Sequence, residues 1–330
     1  MFLYYSLFFL CGLCVSAVQN MSTTDDIKAQ VCALCPRDCR VWRGAGEEGY
    51  CQTGNGLYIA SICLHRGEEP PVSGETGICN VFFAHCNLQC IYCQNYQISR
   101  NESPSREFRM NLSDVINSIE DVLNQGARGV GFVSPSHCVP AMREIISELK
   151  ARDRDQTFVF NTSAYDRVNT IEELEDEISL YLPDLKYQDR RLAEEYSGAS
   201  DYPSVARAVL KEIFRQKGSD LTFNPDGTIR SGMIIRHLVL PGAFENSQKC
   251  LRFIAEELSP DIHISLMAQY HPTPRVSSHP LLGRTILREE YDAVLDEMRR
   301  LGFHRGWVQE LDSCHSYLPD FDQTGVFGDE

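Results

Sequence analysis

Ile78-Cys-Asn-Val-Phe-Phe83, followed at once by Ala84-His-Cys-Asn-Leu-Gln-Cys-Ile-Tyr-Cys93, is the stretch on which the fold and the chemistry of this chain most depend. Its first part is a short apolar run of the kind that makes a buried strand. The part that follows has the spacing CxxxCxxC, and no other cysteine occurs until Cys138. A cysteine-rich loop directly after a buried strand indicates a metal site at the edge of a sheet, where the reactive loops of α/β barrels gather.

Short apolar runs alternate with helical patterns from about residue 77 onward, which is typical of βα units and a parallel sheet. Strands are predicted at 78–83, 129–133, 157–160, 178–182, 233–240 and 262–267, and a last one within 302–311. Apolar residues at helical spacing predict helices that end at Gly126, Gly218 and Gly302. Because right-handed βα units curl as they repeat, the predicted fold class is α/β, a partial (β/α)6 TIM-like barrel with a small Cys-rich N-terminal appendage.

The chain divides by composition into four parts. Residues 1–21 are apolar and lack Lys or Arg, so they are either a leader or a misassigned start with Met21 as the true first residue. Residues 22–75 are rich in Cys, Gly, Arg and Pro and predict a metal-binding appendage. Residues 76–311 are predicted to form the barrel core, and residues 312–330 form a polar tail with an acidic end.

Length and charge limit the possible functions. With 330 residues, 43% of them hydrophobic, the chain can bury a sizeable core. The net charge is −15 and the sequence pI is about 5.1, so we expect no nucleic-acid partner. Nine of the 14 cysteines lie between Cys32 and Cys93, and such bunching in a long chain favours metal ligation over a disulfide framework.

Three closely spaced cysteines are the most informative feature of the loop at Cys86, Cys90 and Cys93. An electron-transfer 4Fe-4S cubane takes four thiolates, so three leave one iron open. An open iron can chelate the amino and carboxylate groups of S-adenosylmethionine (SAM), and one electron then gives methionine and a 5'-deoxyadenosyl radical that abstracts hydrogen. The alternative is a zinc site completed by a fourth ligand such as His85 or Cys138.

A second cysteine group precedes the first. Its spacing, CxxCxxxCx11C, predicts an accessory zinc site or a second iron–sulfur cluster with four ligands, at Cys32, Cys35, Cys39 and Cys51. Because four ligands saturate such a centre, we expect it to be structural or to relay electrons. Cys63 and Cys79 are potential additional ligands. Further along the chain, Cys138, Cys250 and Cys314 are expected to be ordinary thiols.

The sequence resembles the radical SAM superfamily and, within it, the pyruvate formate-lyase activating enzyme-like group. The resemblance runs over nearly the whole chain after Val31. It is carried by the two cysteine motifs and by Gly67-Glu-Glu-Pro-Pro71, Asn161-Thr-Ser-Ala-Tyr165, Tyr181-Leu-Pro-Asp-Leu-Lys186, Arg236-His-Leu-Val-Leu-Pro-Gly242 and Met267-Ala-Gln-Tyr270. It implies a partial (β/α)6 barrel that binds a 4Fe-4S cluster and SAM.

The resemblance also implies a set of SAM-binding residues. Relatives hold the SAM ammonium with a Gly-Gly-Glu turn, whereas this chain has Ser134-Pro-Ser-His137, so that role passes to the backbone and to Ser136 or His137. Asp184 and Lys186 match an Asp-x-Lys that serves the methionine end of SAM. The ribose and a further SAM contact are assigned to Asn161 and His271.

Each of these residues has a structural alternative. Asp184 and Lys186 could share a buried ion pair, and His271 could simply finish a strand. Asn161 could form a turn, and His137 could start a helix. His237 is expected to be a hydrogen-bonded core residue.

The sequence therefore predicts a radical SAM enzyme, with activation of a glycyl radical enzyme as one role. The alternatives are radical modification of a peptide or small molecule without such a partner, and a non-catalytic iron–sulfur or zinc protein. The expected partners are SAM, an electron donor such as flavodoxin or ferredoxin, and a protein, peptide or small-molecule substrate. A cytoplasmic location is expected because the cluster and SAM are intracellular materials, and no catalytic side chain is assigned.

Overall fold

A computed structural model describes residues 31–102, 105–152, 156–315, 318–323 and 325–327. The predicted leader or misassigned start at 1–21 lies outside these residues. No helix in the described part of the chain combines the length and the apolar character needed to cross a membrane.

One sheet organises the described residues. Its strands are β1 (Leu57–His65), β2 (Ile78–Phe83), β3 (Arg109–Met110), β4 (Gly129–Val133), β5 (Thr157–Thr162), β6 (Leu180–Pro183), β7 (Thr222–Phe223), β8 (Ile229–Leu238), β9 (His263–Met267) and β10 (Gly306–Val308). They lie in the order β10-β9-β8-β6-β5-β4-β2-β1-β3, with β7 beside β8. All pairs from β2 to β10 on this path are parallel, whereas β1 is antiparallel to β2 and to β3.

Helices connect the parallel strands. They are α1 (Pro70–Ser73), α2 (Tyr96–Ser99), α3 (Leu112–Leu123), α4 (Val139–Ala151), α5 (Val168–Glu173), α6 (Arg190–Ser197), α7 (Tyr202–Lys217), α8 (Phe244–Glu257) and α9 (Arg288–Arg300). Short 3-10 turns occur at 43–45, 105–108, 135–137, 274–276 and 311–315. The predicted helix ends are confirmed in α3, α7 and α9, and Gly218 caps α7 with a φ of 65° that favours glycine.

The predicted fold class is confirmed, because the six predicted strands and the last one are all present in an open, mostly parallel sheet. The sheet also extends further than the sequence indicated. β1 falls within the predicted appendage but pairs along β2, from Ile59 opposite Phe83 to His65 opposite Ile78. Its residues are buried in a run at the start and only half-buried afterwards, so no alternation marks it as a strand.

Both faces of the parallel strands are covered. On β5 and β6, Phe158, Phe160 and Tyr181 belong to the main core beneath the helices, whereas Val159 and Leu180 belong to a second apolar cluster. Because neighbouring residues on a strand point to opposite faces, the second cluster lies on the face of the sheet opposite the main core. Burial on both sides is why these strands read as continuous apolar runs.

A candidate iron–sulfur site

The three-cysteine loop leaves the carboxyl end of β2. His85 and Gln89 both have left-handed backbone, with φ of 66° and 61°, which turns the chain sharply on either side of Cys86. Asn101 fastens the loop, since its Oδ1 accepts from Cys86 N at 3.2 Å and its Nδ2 donates to Cys86 O at 3.1 Å. The loop is therefore held by specific hydrogen bonds at the carboxyl end of β2.

Each of the three sulfurs receives one hydrogen bond. Leu88 N donates to Cys86 Sγ at 3.4 Å, Ser197 Oγ donates to Cys90 Sγ at 3.0 Å, and Ser99 Oγ donates to Cys93 Sγ at 3.3 Å. Donors aimed at sulfur stabilise the thiolate, which is the form that binds metal. Burial raises the pKa of Cys86 to about 11 and that of Cys90 to about 12, so metal binding at this loop must release protons.

A cavity of about 430 Å³ opens beside the loop. Cys86, Cys90 and Cys93 are the cysteines that line it among the described residues. Three thiolates without a fourth are the donor set that a cubane with one open iron requires, and the residues present therefore fit such a cluster.

Among the described residues, no three Cys, His, Asp or Glu side chains converge on a point where they could hold a single metal ion, either at this loop or in the second cysteine group. Cys138, one of the two suggested fourth ligands, is buried with Cys51 and Arg43 instead. Thiolates that each bind a separate iron do not have to converge on one point, so the same geometry leaves a cluster possible.

The structure brings four of the predicted SAM-binding residues to the cavity of the cysteines: Ser134, Asn161, Asp184 and Lys186. The other three lie elsewhere. Ser136 and His137 are buried behind the wall, where they contact Thr162 Oγ1 at 3.2 Å and Ala84 O at 2.9 Å. His271 lines a neighbouring cavity that shares Gln94 and Pro319 with the first. Their assignment to SAM stays a prediction.

Asp184 and Lys186 form an ion pair with 2.6 Å between Oδ2 and Nζ. Burial alone would lower the pKa of Lys186, but the charges of Asp184 and the nearby Cys90 outweigh it and raise that pKa. The buried hydroxyl of Tyr202 holds the backbone of both residues, since it accepts from Lys186 N at 2.9 Å and donates to Asp184 O at 2.7 Å. A rigid, charged pair therefore faces the cavity.

Ser134 is the first residue of the turn that follows β4. Its φ is 55°, an uncommon conformation for a residue with a side chain, and its N–H donates to Asn161 O at 2.9 Å. Strained backbone of this kind is often found at ligand sites. The turn after β4, from Ser134 to His137, carries no carboxylate.

The appendage is fastened to the cluster loop by Arg37. Its guanidinium donates to Asn87 O at 2.7 Å and Leu88 O at 3.3 Å in the loop, and to Gly198 O at 2.5 Å at the end of α6. It also stacks on the ring of Tyr50 at 4.0 Å. Sequence reasoning missed this residue, because nothing local to Cys35-Pro-Arg-Asp-Cys39 shows which carbonyls an arginine will reach.

Three cysteines of the second group lie around one buried arginine. Cys32, Cys35, Cys51 and Cys138 lie within electrostatic range of the buried Arg43, whose Nη2 donates to Cys51 Sγ at 2.9 Å. Cys39 Sγ accepts a hydrogen bond from Tyr50 N at 3.2 Å. The predicted centre on Cys32, Cys35, Cys39 and Cys51 stays a prediction.

The other cysteines fall into the sheet and the core. Cys63 on β1 pairs with Asn80 and Cys79 on β2 pairs with Leu64, and burial raises the pKa of Cys79. Cys250 is fully buried in α8, as expected of a core thiol. His237 is a buried residue of β8 whose Nδ1 contacts Leu185 O at 2.6 Å, as its core interpretation predicted. The side chain of Cys314 lies outside the described part of the chain.

Two adjacent glutamates and an arginine are a further part of the cavity wall that sequence reasoning did not single out as a site. Glu68 and Glu69 follow β1, and Arg236 lies on β8; all three line the cavity and are almost wholly buried. The only local signal was the run Gly67-Glu-Glu-Pro-Pro71, which was noted as part of a family motif without a role.

Fold and site together define an α/β iron–sulfur protein. Residues 72–197 match the family model described as a 4Fe-4S single cluster domain, and this range contains the whole three-cysteine loop. Over this range the chain is similar to 4Fe-4S single cluster domains, in agreement with the predicted 4Fe-4S cofactor.

Individual relatives are distant. An uncharacterized protein of Methanocaldococcus jannaschii is 26% identical over 271 residues, which are 80% of this chain and 73% of that protein. Streptococcus suis SuiB is 15% identical in structures bound to the precursor peptide SuiA and to S-adenosylmethionine, with TM-scores of 0.44 and 0.43 and 69% of this chain covered. A domain of pyruvate-formate lyase-activating enzyme from Bacteroides vulgatus is 18% identical with a TM-score of 0.37, and covers 55% of this chain and 99% of that domain. The chain spans about half the length of SuiB, 47% and 45% in the two structures.

Proposed function

We propose that this chain is a radical SAM enzyme that carries its 4Fe-4S cluster on Cys86, Cys90 and Cys93. When bound, the cluster and SAM supply a 5'-deoxyadenosyl radical that abstracts hydrogen from the substrate. The protein supplies position: it holds the thiolates with hydrogen bonds, orients SAM and keeps water away from the reacting atoms.

One observation carries this proposal. A single cavity is lined by three cysteines and by the ion pair of Asp184 and Lys186. The ammonium of Lys186 is suited to the carboxylate of SAM, and the carboxylate of Asp184 is suited to its positive groups. Ser134 and Asn161 add polar groups to the same wall. The cavity therefore offers partners for the carboxylate of SAM and for its two positive groups, the ammonium and the sulfonium.

For the target we propose a peptide or protein, with a glycyl radical enzyme as one form of it. Modification of a small molecule is the alternative, since fold and cluster do not select between them. The electron for SAM cleavage comes from a low-potential carrier such as flavodoxin or ferredoxin. A cytoplasmic location fits a cluster and a cofactor that are both intracellular materials.

The test is SAM cleavage by the full chain reconstituted with iron and sulfide without oxygen. Given dithionite and SAM, the protein should release 5'-deoxyadenosine, and the Cys90→Ala variant should not. Cys63→Ala is the matched control, because Cys63 lies on β1 and does not line the cavity. SAM binding without any cleavage by the cluster-loaded protein would instead favour a non-catalytic iron–sulfur protein.

A further inference from the structure

Two carboxylates share one guanidinium in the wall of the cluster cavity. Arg236 donates to Glu69 from Nε at 2.9 Å and from Nη2 at 2.5 Å, which is a bidentate contact. The same Nη2 also donates to Glu68 Oε2. The three side chains are 9%, 6% and 9% exposed for Arg236, Glu69 and Glu68, so solvent screens these charges weakly.

Glu68 is ionised in this setting. Burial alone would raise its pKa, but the charge of Arg236 outweighs it, with help from His65 and from a hydrogen bond that Asn80 donates, and the pKa falls to about 2. Glu69 receives the bidentate contact of the same guanidinium. One arginine therefore faces two carboxylates.

Two glutamates of the cavity wall share one arginine. The charged lining among the described residues consists of three carboxylates, at Glu68, Glu69 and Asp184, of two cations, at Lys186 and Arg236, and of His65, whose charge helps to lower the pKa of Glu68. Asp184 and Lys186 pair with each other at 2.6 Å. A further cation brought by a ligand would stabilise the two buried glutamates that share Arg236.

Glu68 is the carboxylate that has unused hydrogen-bond acceptor positions. Asn80 Nδ2 donates to its Oε1 at 2.8 Å, and Arg236 donates to its Oε2. An ionised carboxylate has about four acceptor positions, so further donors can be taken from the cavity side. The side chain is also held in place from two directions, which suits a recognition group.

The remainder of the wall is suited to an aliphatic stem. Apolar side chains also line the cavity, among them Phe82, Leu238, Trp307, Val308 and Phe327. A long side chain with a cationic end buries its methylene groups against such a surface while its charge seeks an anion. The net charge of −15 for the whole chain also favours the approach of a cationic ligand.

We infer that Glu68, positioned by Arg236 and Asn80, binds a primary ammonium or guanidinium at the end of an aliphatic chain, and that the substrate belongs to this class of aliphatic cations. This inference rests on the proposed function, because it takes the cluster cavity to be the place where the substrate reacts.

The test compares ligands that differ only in the cationic group. Anaerobic titration calorimetry on the reconstituted full chain, with SAM present, would measure pentylamine against 1-pentanol, and N-acetyl-lysine methylamide against N-acetyl-norleucine methylamide. The first pair represents a free amine and the second a lysine within a peptide. In at least one pair the cation should bind at least tenfold more tightly, and Glu68→Gln should abolish the preference.

Glu75→Gln is the matched control, because Glu75 is exposed on the same segment and does not line the cavity. Glu68→Met, which leaves Arg236 and Glu69 as a neutral pair, replaces Glu68→Gln if the amide variant does not fold. Equal binding within both pairs, no binding of either cation, or a preference that survives the loss of Glu68 would overturn the inference.

A parallel titration with SAM alone separates the two proposals. SAM should bind equally to wild type and to Glu68→Gln; a tenfold loss would mean that Glu68 serves SAM and would overturn the inference. If the protein fails to cleave SAM while the cation preference and its dependence on Glu68 persist, the proposed radical chemistry fails and the cation site stands.

Discussion

The guanidinium of Arg37 donates to the main-chain carbonyl of Asn87 at 2.7 Å, which joins the Cys-rich appendage to the turn between the first two cluster cysteines. The same side chain reaches the end of α6, where Ser197 donates to the sulfur of Cys90. Because one cation binds carbonyls from both segments, the cluster loop and α6 are held in fixed relation. The appendage thus holds the three-cysteine loop in place through Arg37.

Arg37→Lys should weaken this connection, since a lysine cannot bridge several carbonyls or stack on Tyr50 in the same way. We expect the free energy of unfolding to fall by about 1–3 kcal/mol and the iron bound per chain to decrease. Urea unfolding and iron analysis after anaerobic reconstitution measure the two effects. Arg40→Lys is the control, because Arg40 is exposed and pairs with Asp38. Unchanged iron content in Arg37→Lys would contradict the role.

Ser197→Ala should lower the reduction potential of the cluster. A hydrogen bond to a cluster sulfur stabilises the reduced state, which carries more negative charge. A difference of about 1 kcal/mol between the two states corresponds to about 40 mV for one electron. Redox titration followed by electron paramagnetic resonance measures it. Ser118→Ala, on the exposed side of α3, should leave the potential unchanged. A potential equal to that of the wild type would show that the contact with Cys90 does not act on the cluster.

The double variant Asp184→Asn and Lys186→Met should bind SAM about 10- to 100-fold more weakly, as expected for the loss of a charged hydrogen bond. Changing both residues avoids leaving one buried charge without its partner. Equilibrium dialysis with labelled SAM on the cluster-loaded protein measures the affinity. Lys249→Met serves as the control, because Lys249 lies 3.7 Å from Asp189 and outside the cavity. Equal affinity in the double variant would remove both residues from the SAM site.

Gly306→Ala should destabilise the chain far more than Gly302→Ala, although both glycines have positive φ, of 115° and 83°. A Cβ at Gly306 would lie 1.9 Å from Ile264 O on the neighbouring strand β9, whereas a Cβ at Gly302 would meet nothing within 4 Å. We expect a cost of about 1 kcal/mol at Gly302 and a clearly larger one at Gly306, measured by urea unfolding. Equal costs would mean that β10 does not pair closely with β9.

Local pattern was enough to predict the parallel strands and the three-cysteine loop. β2 and β4 begin and end where their apolar runs do, because strands buried on both faces show no interruption. β1 was not recognised, since its burial pattern mixes buried and half-buried residues without alternation. Among the predicted SAM-binding residues, those directly at strand ends, such as Asn161 and Asp184, reach the cavity, whereas His137 turns into the interior.

The sequence by itself determined the βα repetition and the three-thiolate loop, because both are written in the spacing of residues close together in the chain. Only the tertiary structure decided which distant side chains meet. It placed Cys138 near Arg43 and Cys51 while Cys39 accepts from Tyr50, and it brought Arg236 onto Glu69 across 167 positions. Such contacts depend on how the sheet curls and which strand ends become neighbours, and no local pattern records that.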